Sequence, residues 1–345
     1  MNIKVPKPIS GGIILSYNCN AECRHCMYAC SPKWNADWIS EKDLYVLLNI
    51  LADKIKPSFY GKNVIDLNLG IHFTGGEPFL NFELLCEGVE MARELNIPSI
   101  FVETNCYWAS SDNITKEKLS RLKNNGLNGI MISVNPFFLE FVPFERTERA
   151  VRIASEIFGN NMFVYQLEYF RKFRKLKIKG KVTLEEYRRM DDGVHFTRYT
   201  EFFIMGRAAY SMEKLGIFPK YKVKFLIMNK CNPPIPRNWH NHFDNYGNFI
   251  PGYCGGLSLG DWHDMDQILK NGTNMLQYPI LTFIVKNDFN GLLSFAEDYG
   301  YKERNNGYLS KCHLCVDIRR FLVGKNEFGE LNPKEFYTRL VDKGE

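Results

Sequence analysis

Three cysteines lie within eight residues near the start of the chain, in the stretch Cys19-Asn20-Ala21-Glu22-Cys23-Arg24-His25-Cys26. An apolar run at residues 12–16 precedes them and is typical of a buried strand, so we expect the cysteines on the loop that leaves this strand. Thiolates this close in sequence can converge on one metal centre. A structural zinc site is closed by four protein ligands, whereas three thiolates on a [4Fe–4S] cubane leave one iron open. The spacing therefore favours an open cluster, with a zinc site as the alternative.

Short segments of polar and glycine residues follow other apolar runs, and Thr74-Gly75-Gly76-Glu77-Pro78 is the most distinctive of them. Glycines let a backbone approach a ligand closely and take unusual φ and ψ values. Backbone carbonyls and the Glu77 carboxylate can accept hydrogen bonds from a cation. A β-turn before a helix, with Pro78 in the first turn, is the structural alternative. The other polar segments are Glu103-Thr104-Asn105, Ser133-Val134-Asn135 and Gly206-Arg207-Ala208.

Apolar runs alternate with helical patterns along the first two thirds of the chain. Such alternation is typical of parallel β/α units, in which ligands bind beyond the carboxyl ends of the strands. The polar segments named above all fall at such ends. Helices are predicted to begin at Ser40 and Asn81, to run from an N-cap at Thr115 to near Gly126, and to cover 146–158 and 183–190. Strands are predicted at 12–16, 64–73, 99–103, 129–134, 161–167 and 200–205.

The C-x3-C-x2-C spacing resembles that of the radical S-adenosylmethionine (SAM) superfamily, and residues 74–78 look like the GGEP motif of that family. The resemblance implies that Cys19, Cys23 and Cys26 hold a [4Fe–4S] cluster whose open iron binds SAM. Cys30 is then not a ligand, because a fourth thiolate would block SAM. The resemblance also implies an α/β fold, a partial (β/α)6 TIM-like barrel over residues 1–215. The SAM-binding residues implied in the same way are His25, Gly75, Gly76, Glu77, Pro78, Thr104, Asn105, Ser133, Asn135 and Arg207.

The last third of the chain contains a second set of cysteines, Cys231, Cys254, Cys312 and Cys315. Four thiolates are enough to close one cluster or one zinc site. Asp244-Asn245-Tyr246-Gly247-Asn248 has strong turn composition and predicts a β-hairpin. The arrangement resembles the Twitch domain, a shorter relative of the SPASM domain. It implies a small domain at residues 216–345 with one auxiliary [4Fe–4S] cluster, and zinc stays the alternative.

Catalytic side chains are harder to identify from the sequence. Arg207, in a segment that resembles the MGRA sequence of members with an extra cluster domain, can bind a carboxylate of SAM or of a substrate through a bidentate pair. His240, His242 and Asp244 lie between Cys231 and Cys254 and can bind substrate or exchange a proton. A polar hairpin loop without a catalytic role is the alternative for these three residues.

The composition is that of an ordinary globular protein. The net charge of +5 over 345 residues does not indicate a nucleic-acid partner. Residues 1–8 lack the apolar core of a signal peptide, and no stretch approaches about 18 uninterrupted apolar residues. Ten cysteines without a secretory signal indicate metal or redox chemistry in a reducing compartment. We therefore expect a cytoplasmic protein with no membrane partner.

The resemblance implies an enzyme that cleaves SAM reductively to a 5′-deoxyadenosyl radical, which abstracts hydrogen from a peptide, protein or small-molecule substrate. The implied outcome is an oxidation or a cross-link, and the implied electron donor is a flavodoxin or ferredoxin. Two alternatives stay open. One is a radical SAM C-methyltransferase acting on a peptide or protein, with or without cobalamin. The other is a non-catalytic iron–sulfur or zinc scaffold.

Overall fold

The structure is a computed structural model that describes residues 2–35, 37–190, 202–228, 230–232, 234–325 and 328–341. The chain forms two compact units. We call Ile9–Cys23 together with Cys30–Phe202 the sheet unit, and Met1–Pro8, Arg24–Ala29 and Phe203–Glu345 together the C-terminal unit. The predicted domains, residues 1–215 and 216–345, stay predictions.

The described residues contain short strands throughout, and most of them follow the predicted apolar runs. They are β1 (Asn2–Ile3), β2 (Ser10–Ile14), β3 (Gly70–Thr74), β4 (Ile100–Thr104), β5 (Gly129–Ser133), β6 (Met162–Tyr165), β7 (Asn241–Asp244), β8 (Phe249–Ile250) and β9 (Thr273–Asn274).

The longest helix lies in the sheet unit, and most helices of the C-terminal unit are short. They are α1 (Glu41–Ala52), α2 (Phe82–Glu94), α3 (Asp112–Asn125), α4 (Pro136–Leu139), α5 (Phe144–Phe158), α6 (Leu167–Lys175), α7 (Leu184–Met190), α8 (Ala208–Ser211), α9 (Val223–Leu226), α10 (Met265–Asn271), α11 (Pro279–Val285), α12 (Phe289–Asp298), α13 (Lys311–Val323) and α14 (Lys334–Thr338). No helix among the described residues is both long and apolar enough to span a lipid bilayer.

The sheet unit is built on five parallel strands in the order β6-β5-β4-β3-β2. One face of this sheet is apolar: Ile13, Phe73 and Val102 are paired across neighbouring strands and fully buried. A methyl group added at Gly88 of α2 would lie 3.0 Å from both Leu44 of α1 and Phe73, so both helices pack on this face. The predicted parallel α/β arrangement is confirmed, since crossover helices must cover such a sheet.

The sixth predicted strand, at 200–205, is wrong where it can be checked. Residues 202–205 form no strand, and 200–201 lie outside the described residues. The Met205 amide bonds instead to the Phe203 carbonyl at 2.9 Å, and Gly206 turns with φ of +55°. The backbone is therefore used in a turn and not in a ladder. Closure of the described strands into a barrel stays a prediction.

Two other element boundaries differ from the prediction by three residues or more, and the remaining differences are smaller. The second strand begins at Gly70 and not at residue 64. Helix α3 begins at Asp112, and its N-cap is Ser111, whose hydroxyl accepts a hydrogen bond from the Ile114 amide. Thr115 lies inside the helix, where its hydroxyl donates to the Ser111 carbonyl at 2.7 Å. The predicted cap at Thr115 is thus wrong, because Ser111 has the extended backbone that a cap requires.

The C-terminal unit contains the predicted hairpin. Strands β7 and β8 are antiparallel, with Phe243 opposite Phe249, and residues 245–248 connect them. Strand β1 pairs antiparallel with β9 in the same unit. Helix α13 begins after Ser310, whose hydroxyl accepts a hydrogen bond from the His313 amide at 3.0 Å. This helix carries both Cys312 and Cys315.

The corrected cap of α3 gives a stability prediction. Ser111→Ala removes the hydroxyl that satisfies a free amide of the first turn, so the free energy of unfolding should fall by about 1 kcal/mol. Chemical denaturation followed by circular dichroism measures this change. Ser110→Ala is the matched control, because Ser110 is exposed, and it should change the unfolding free energy by less than about 0.5 kcal/mol. Equal losses for the two variants would contradict the assignment.

Candidate metal centres and cofactor site

The first half of the cysteine loop lies directly against the glycine segment after β3. The amide of Gly76 donates to the Ser16 carbonyl at 2.9 Å, and the amide of Glu77 donates to the Asn18 carbonyl at 3.1 Å. A Cβ on Gly76 would lie only 1.8 Å from the Asn18 oxygen. Gly75 has φ of +117°, a value that L side chains rarely adopt. Both glycines are therefore required for this backbone contact.

Glu77 ties the glycine segment to the end of β4. Its carboxylate accepts hydrogen bonds from the Thr104 hydroxyl at 2.9 Å, the Asn105 amide at 2.8 Å and the Phe79 amide at 3.3 Å. Only 1% of the residue is exposed. Burial raises the pKa of Glu77 to about 7, although these three bonds oppose the shift. The carboxyl group is thus close to its protonation midpoint at neutral pH.

Asn105 returns from β4 to the cysteine loop. Its side-chain amide donates to Asn20 Oδ1 at 2.9 Å and lies 3.9 Å from the Cys19 sulfur. The amide of Ala21 also lies 3.4 Å from this sulfur. Cys19 and Cys23 are both buried. Donors around a thiolate stabilise its charge, so this environment suits a metal-bound Cys19.

The remaining predicted cofactor residues of the sheet unit have local structural contacts. Pro78 is buried and begins a short 3-10 helix that leads into α2. Asn135 is buried and caps α4 by accepting from the amides of Phe137 and Phe138. Ser133 ends β5 opposite Tyr165. Their roles in cofactor binding stay predictions.

A polar pair that the sequence reading did not single out lies on the other face of the sheet. His72 Nε2 on β3 lies 3.5 Å from Glu103 Oε1 on β4, and the Thr74 hydroxyl donates to the second carboxylate oxygen at 2.8 Å. The Glu103 side chain is 23% exposed, yet burial raises its pKa to about 7. The sequence signal for this pair is the alternation in β3, where the polar residues His72 and Thr74 stand at alternate positions of an otherwise apolar strand.

The second half of the cysteine loop belongs to the C-terminal unit, where residues 206–211 hold it. The amide of Arg207 donates to the Cys26 carbonyl at 3.0 Å, and its guanidinium donates to the carbonyls of Ala29 at 2.6 Å and Arg339 at 3.2 Å. A Cβ on Gly206 would lie 2.3 Å from the Met27 oxygen. Burial, with a contribution from the Arg207 charge, lowers the pKa of His25 to about 3. His25 is therefore neutral at physiological pH.

The four cysteines of the last third come together in space. Burial raises the pKa of the Cys231 thiol to about 11, with a further contribution from Cys315. Burial also raises the pKa of Cys254, to which Cys315, Cys312 and Cys231 add. The pKa of Cys312 is raised to about 12 by the surrounding protein and by Cys315 and Cys231. Thiols whose charges act on one another in this way are close neighbours.

This thiol group fits a metal centre by its donor set. Cys312 is solvent-exposed as a residue, and the surrounding protein raises its pKa together with Cys315 and Cys231. Four thiolates satisfy either a [4Fe–4S] cubane or a tetrahedral zinc ion. A thiol with a raised pKa becomes a thiolate only when a metal or another cation compensates its charge.

Helix α13 is held from its other side by a group of tyrosines. Asp317 accepts hydrogen bonds from the hydroxyls of Tyr210 at 3.0 Å and Tyr301 at 2.7 Å. Tyr301 is also hydrogen-bonded to Tyr308 at 2.7 Å. The rotation of the helix is therefore fixed by side chains that are separate from the thiols.

The polar residues of the hairpin make well-defined contacts. Asp244 accepts from the amides of Tyr246 at 3.0 Å and Asn248 at 2.8 Å, which are bonds of the hairpin turn itself. His242 Nδ1 lies 2.9 Å from both the Tyr28 hydroxyl and the Gly252 carbonyl, and burial lowers the pKa of His242 well below its usual value. The ring centroids of His240 and Tyr253 lie 4.8 Å apart. Catalytic roles for His240, His242 and Asp244 stay predictions.

Glu103 gives a prediction on pH dependence. Its pKa is about 7 in the folded protein and about 4.3 in an unfolded chain, so the folded state holds the proton more tightly. Its contribution to stability is full below about pH 4.3 and is lost as the pH rises towards 7. Glu103→Gln should remove a decline in unfolding free energy on the order of 2 kcal/mol across this range. Denaturation curves at a series of pH values measure it.

The control for this experiment is Glu90→Gln, at a position where the side chain is 49% exposed. It should follow the wild-type pH dependence. A Glu103→Gln curve that is parallel to the wild-type curve from pH 4 to 7 would show that Glu103 is not the titrating group. Glu77 has the same direction of shift, so part of the decline should remain in the Glu103 variant.

Comparisons with known proteins give likenesses to solved structures and one match to a family model. No curated protein matches the sequence. Among solved structures, native anSMEcpe with bound AdoMet is 13% identical, with 92% of this chain and 99% of that chain covered and a TM-score of 0.46. BtrN in complex with AdoMet and 2-DOIA is 14% identical, with 83% and 87% covered and a TM-score of 0.44.

A family model gives the more direct result. Residues 13–134 match the family described as the 4Fe-4S single cluster domain. This range contains Cys19, Cys23 and Cys26 as well as the glycine segment and Asn105. The prediction of an iron–sulfur cofactor is therefore confirmed, and the residues proposed to bind the cluster stay predictions.

Proposed function

We propose that the protein is a radical SAM enzyme with a catalytic and an auxiliary [4Fe–4S] cluster. The observation that carries the proposal is the direct contact between the cysteine loop and the glycine segment, in which Gly76 leaves no room for a side chain against Asn18. Cys19, Cys23 and Cys26 are the proposed ligands of the catalytic cluster. A cofactor that is bound by both cluster and protein requires such a contact, because its two anchoring points must be close together.

The chain's own residues supply the SAM site. A carboxylate offers about four acceptor positions, and three hydrogen bonds to Glu77 are present, so one position is left for the SAM ammonium. A nearby cation lowers the pKa of a carboxyl group, so Glu77 is ionised when SAM is bound. The neutral ring of His25 is proposed to pack on the adenine, and Thr104, Asn105, Ser133 and Asn135 are proposed to line the same site.

The bound cluster and SAM supply a one-electron cleavage to methionine and a 5′-deoxyadenosyl radical, which takes hydrogen from the substrate. The protein positions the substrate hydrogen and excludes water. A peptide, a protein or a small molecule is the proposed substrate, oxidation or cross-linking is the proposed outcome, and a flavodoxin or ferredoxin is the proposed donor. Mass spectrometry of reduced protein with SAM tests the class: 5′-deoxyadenosine should form, and its absence from iron-loaded, reduced protein would overturn the proposal.

The cysteine assignment is tested one residue at a time. Cys19→Ala, Cys23→Ala and Cys26→Ala should each abolish reductive SAM cleavage and lower the iron content, because two thiolates do not hold the cluster. Cys30→Ala is the matched control and should retain both, since Cys30 is a buried neighbour proposed to bind no metal. Loss of cleavage in the Cys30 variant equal to that in the Cys23 variant would mean that the three ligands are wrongly chosen.

The SAM site is tested at Glu77. Glu77→Ala should weaken SAM binding about tenfold or more, because a hydrogen bond to a charged group is worth roughly 1.5–3 kcal/mol, while the iron content stays unchanged. Isothermal titration calorimetry on the reconstituted protein measures the affinity. Glu83→Ala, an exposed carboxylate on α2, is the control and should bind SAM like the wild type. Wild-type affinity in an iron-loaded Glu77→Ala protein would contradict the proposed site.

A further inference from the structure

Arg319 lies on the same side of α13 as two of the auxiliary cysteines. It follows Cys312 by seven residues and Cys315 by four residues, and residues at these spacings lie along one face of a helix. Only 5% of the residue is exposed. A buried guanidinium needs compensating partners, because removing a charge from water costs several kcal/mol.

The hydrogen bonds of Arg319 hold it in place but leave part of it unsatisfied. Its Nη1 donates to the Gly255 carbonyl at 2.9 Å and to the Tyr337 hydroxyl at 3.2 Å. Gly255 directly follows Cys254 in the sequence. The buried Nε has no hydrogen-bond partner among the described residues, and none of the carboxylates described forms an ion pair with Arg319.

Two of the auxiliary cysteines act electrostatically on Arg319. Burial alone would lower the pKa of Arg319, but Tyr337, Cys315 and Cys254 together raise it above the usual value. Lys311 directly precedes Cys312 at the start of α13. The Lys311 ammonium also donates to Asn287 Oδ1 at 2.7 Å. Two positive side chains therefore lie beside the four-thiol group.

We propose that Arg319, assisted by Lys311, raises the reduction potential of the auxiliary cluster and so enables it to accept an electron. This inference rests on the proposed function. A cluster held by four thiolates carries net negative charge and gains one more when it is reduced, so nearby cations and N–H donors favour the reduced form. In that role the cluster would take one electron from the substrate radical, and the resulting cation would lose one proton to solvent to give an even-electron product. Arg319 is a positioning and tuning residue that does not touch the substrate.

The experiment uses the full chain with Cys19→Ala, Cys23→Ala and Cys26→Ala combined, so that only the auxiliary site is loaded on anaerobic reconstitution. This parent should hold about four irons, the content of one cubane. Arg319→Gln and Lys311→Gln are made in it separately. Arg320→Gln is the matched control, because it removes the same charge from the same helix at a side chain that packs 5.1 Å from the Tyr210 ring. A potentiometric titration followed by electron paramagnetic resonance gives the midpoint potential of each.

Arg319→Gln and Lys311→Gln should each shift the midpoint to a lower potential at unchanged iron content, and Arg320→Gln should shift it less. Arg319→Lys, which keeps the charge but loses the planar donor set, should have a midpoint potential between those of Arg319→Gln and the parent.

Unchanged potentials in both glutamine variants, or an equal shift in Arg320→Gln, would overturn the inference. If Arg319→Gln fails to hold iron, the Lys311→Gln result decides. A parent that holds zinc or no metal would remove the auxiliary cluster, and with it this inference, while the catalytic site stays testable by SAM cleavage in the wild type.

Discussion

The contact between two backbones, at Gly76 and Asn18, is the constraint on which the polar end of the parallel sheet depends. A Cβ at position 76 would overlap the Asn18 oxygen. Because glycine has no Cβ, the amides of the glycine segment can donate directly to carbonyls of the cysteine loop. Glu77 then reaches Thr104 and Asn105, and Asn105 reaches back to Asn20. These hydrogen bonds connect the cysteine loop, the glycine segment and the segment after β4 into one continuous network. Breaking one buried member leaves its partner unsatisfied, at a cost of about 1–3 kcal/mol.

Charged side chains beside the two proposed cofactor sites have opposite signs, and each set suits a different partner. In the sheet unit, Glu77 and Glu103 are carboxyl groups whose pKa values burial raises to about 7. Such groups gain from a cationic ligand, which restores their ionised form. In the C-terminal unit, Arg319 and Lys311 lie beside four thiols and gain from a centre with net negative charge. The signs of these charges therefore correspond to the cofactors proposed for each site.

Much of the organisation could be predicted because it depends on local signals. Five parallel strands, the cap at Ser40 and the hairpin around Gly247 follow from periodicity and turn residues. The wrong cap at Thr115 and the missing strand at 202–205 have a different cause: in both places a tertiary or neighbouring hydrogen bond replaced the one that the local pattern favours. The mutual approach of Cys231, Cys254, Cys312 and Cys315 and the pairing of His72 with Glu103 depend on chain segments far apart in sequence, so spacing alone could suggest the first and missed the second.

The anchoring of α13 has a consequence for metal selectivity. Asp317 and its tyrosines fix the helix from one side, so Cys312 and Cys315 keep their spacing whether or not a metal is bound. A pair of thiols that is held in this way loses little conformational entropy when a metal binds. The intrinsic affinity order of divalent metals does not favour ferrous iron over zinc, and selectivity comes from the geometry of the ligands. A cubane takes its four thiolates at four different irons, whereas a zinc ion takes them at one atom, so the spacing that α13 fixes for Cys312 and Cys315 is what would distinguish the two occupants.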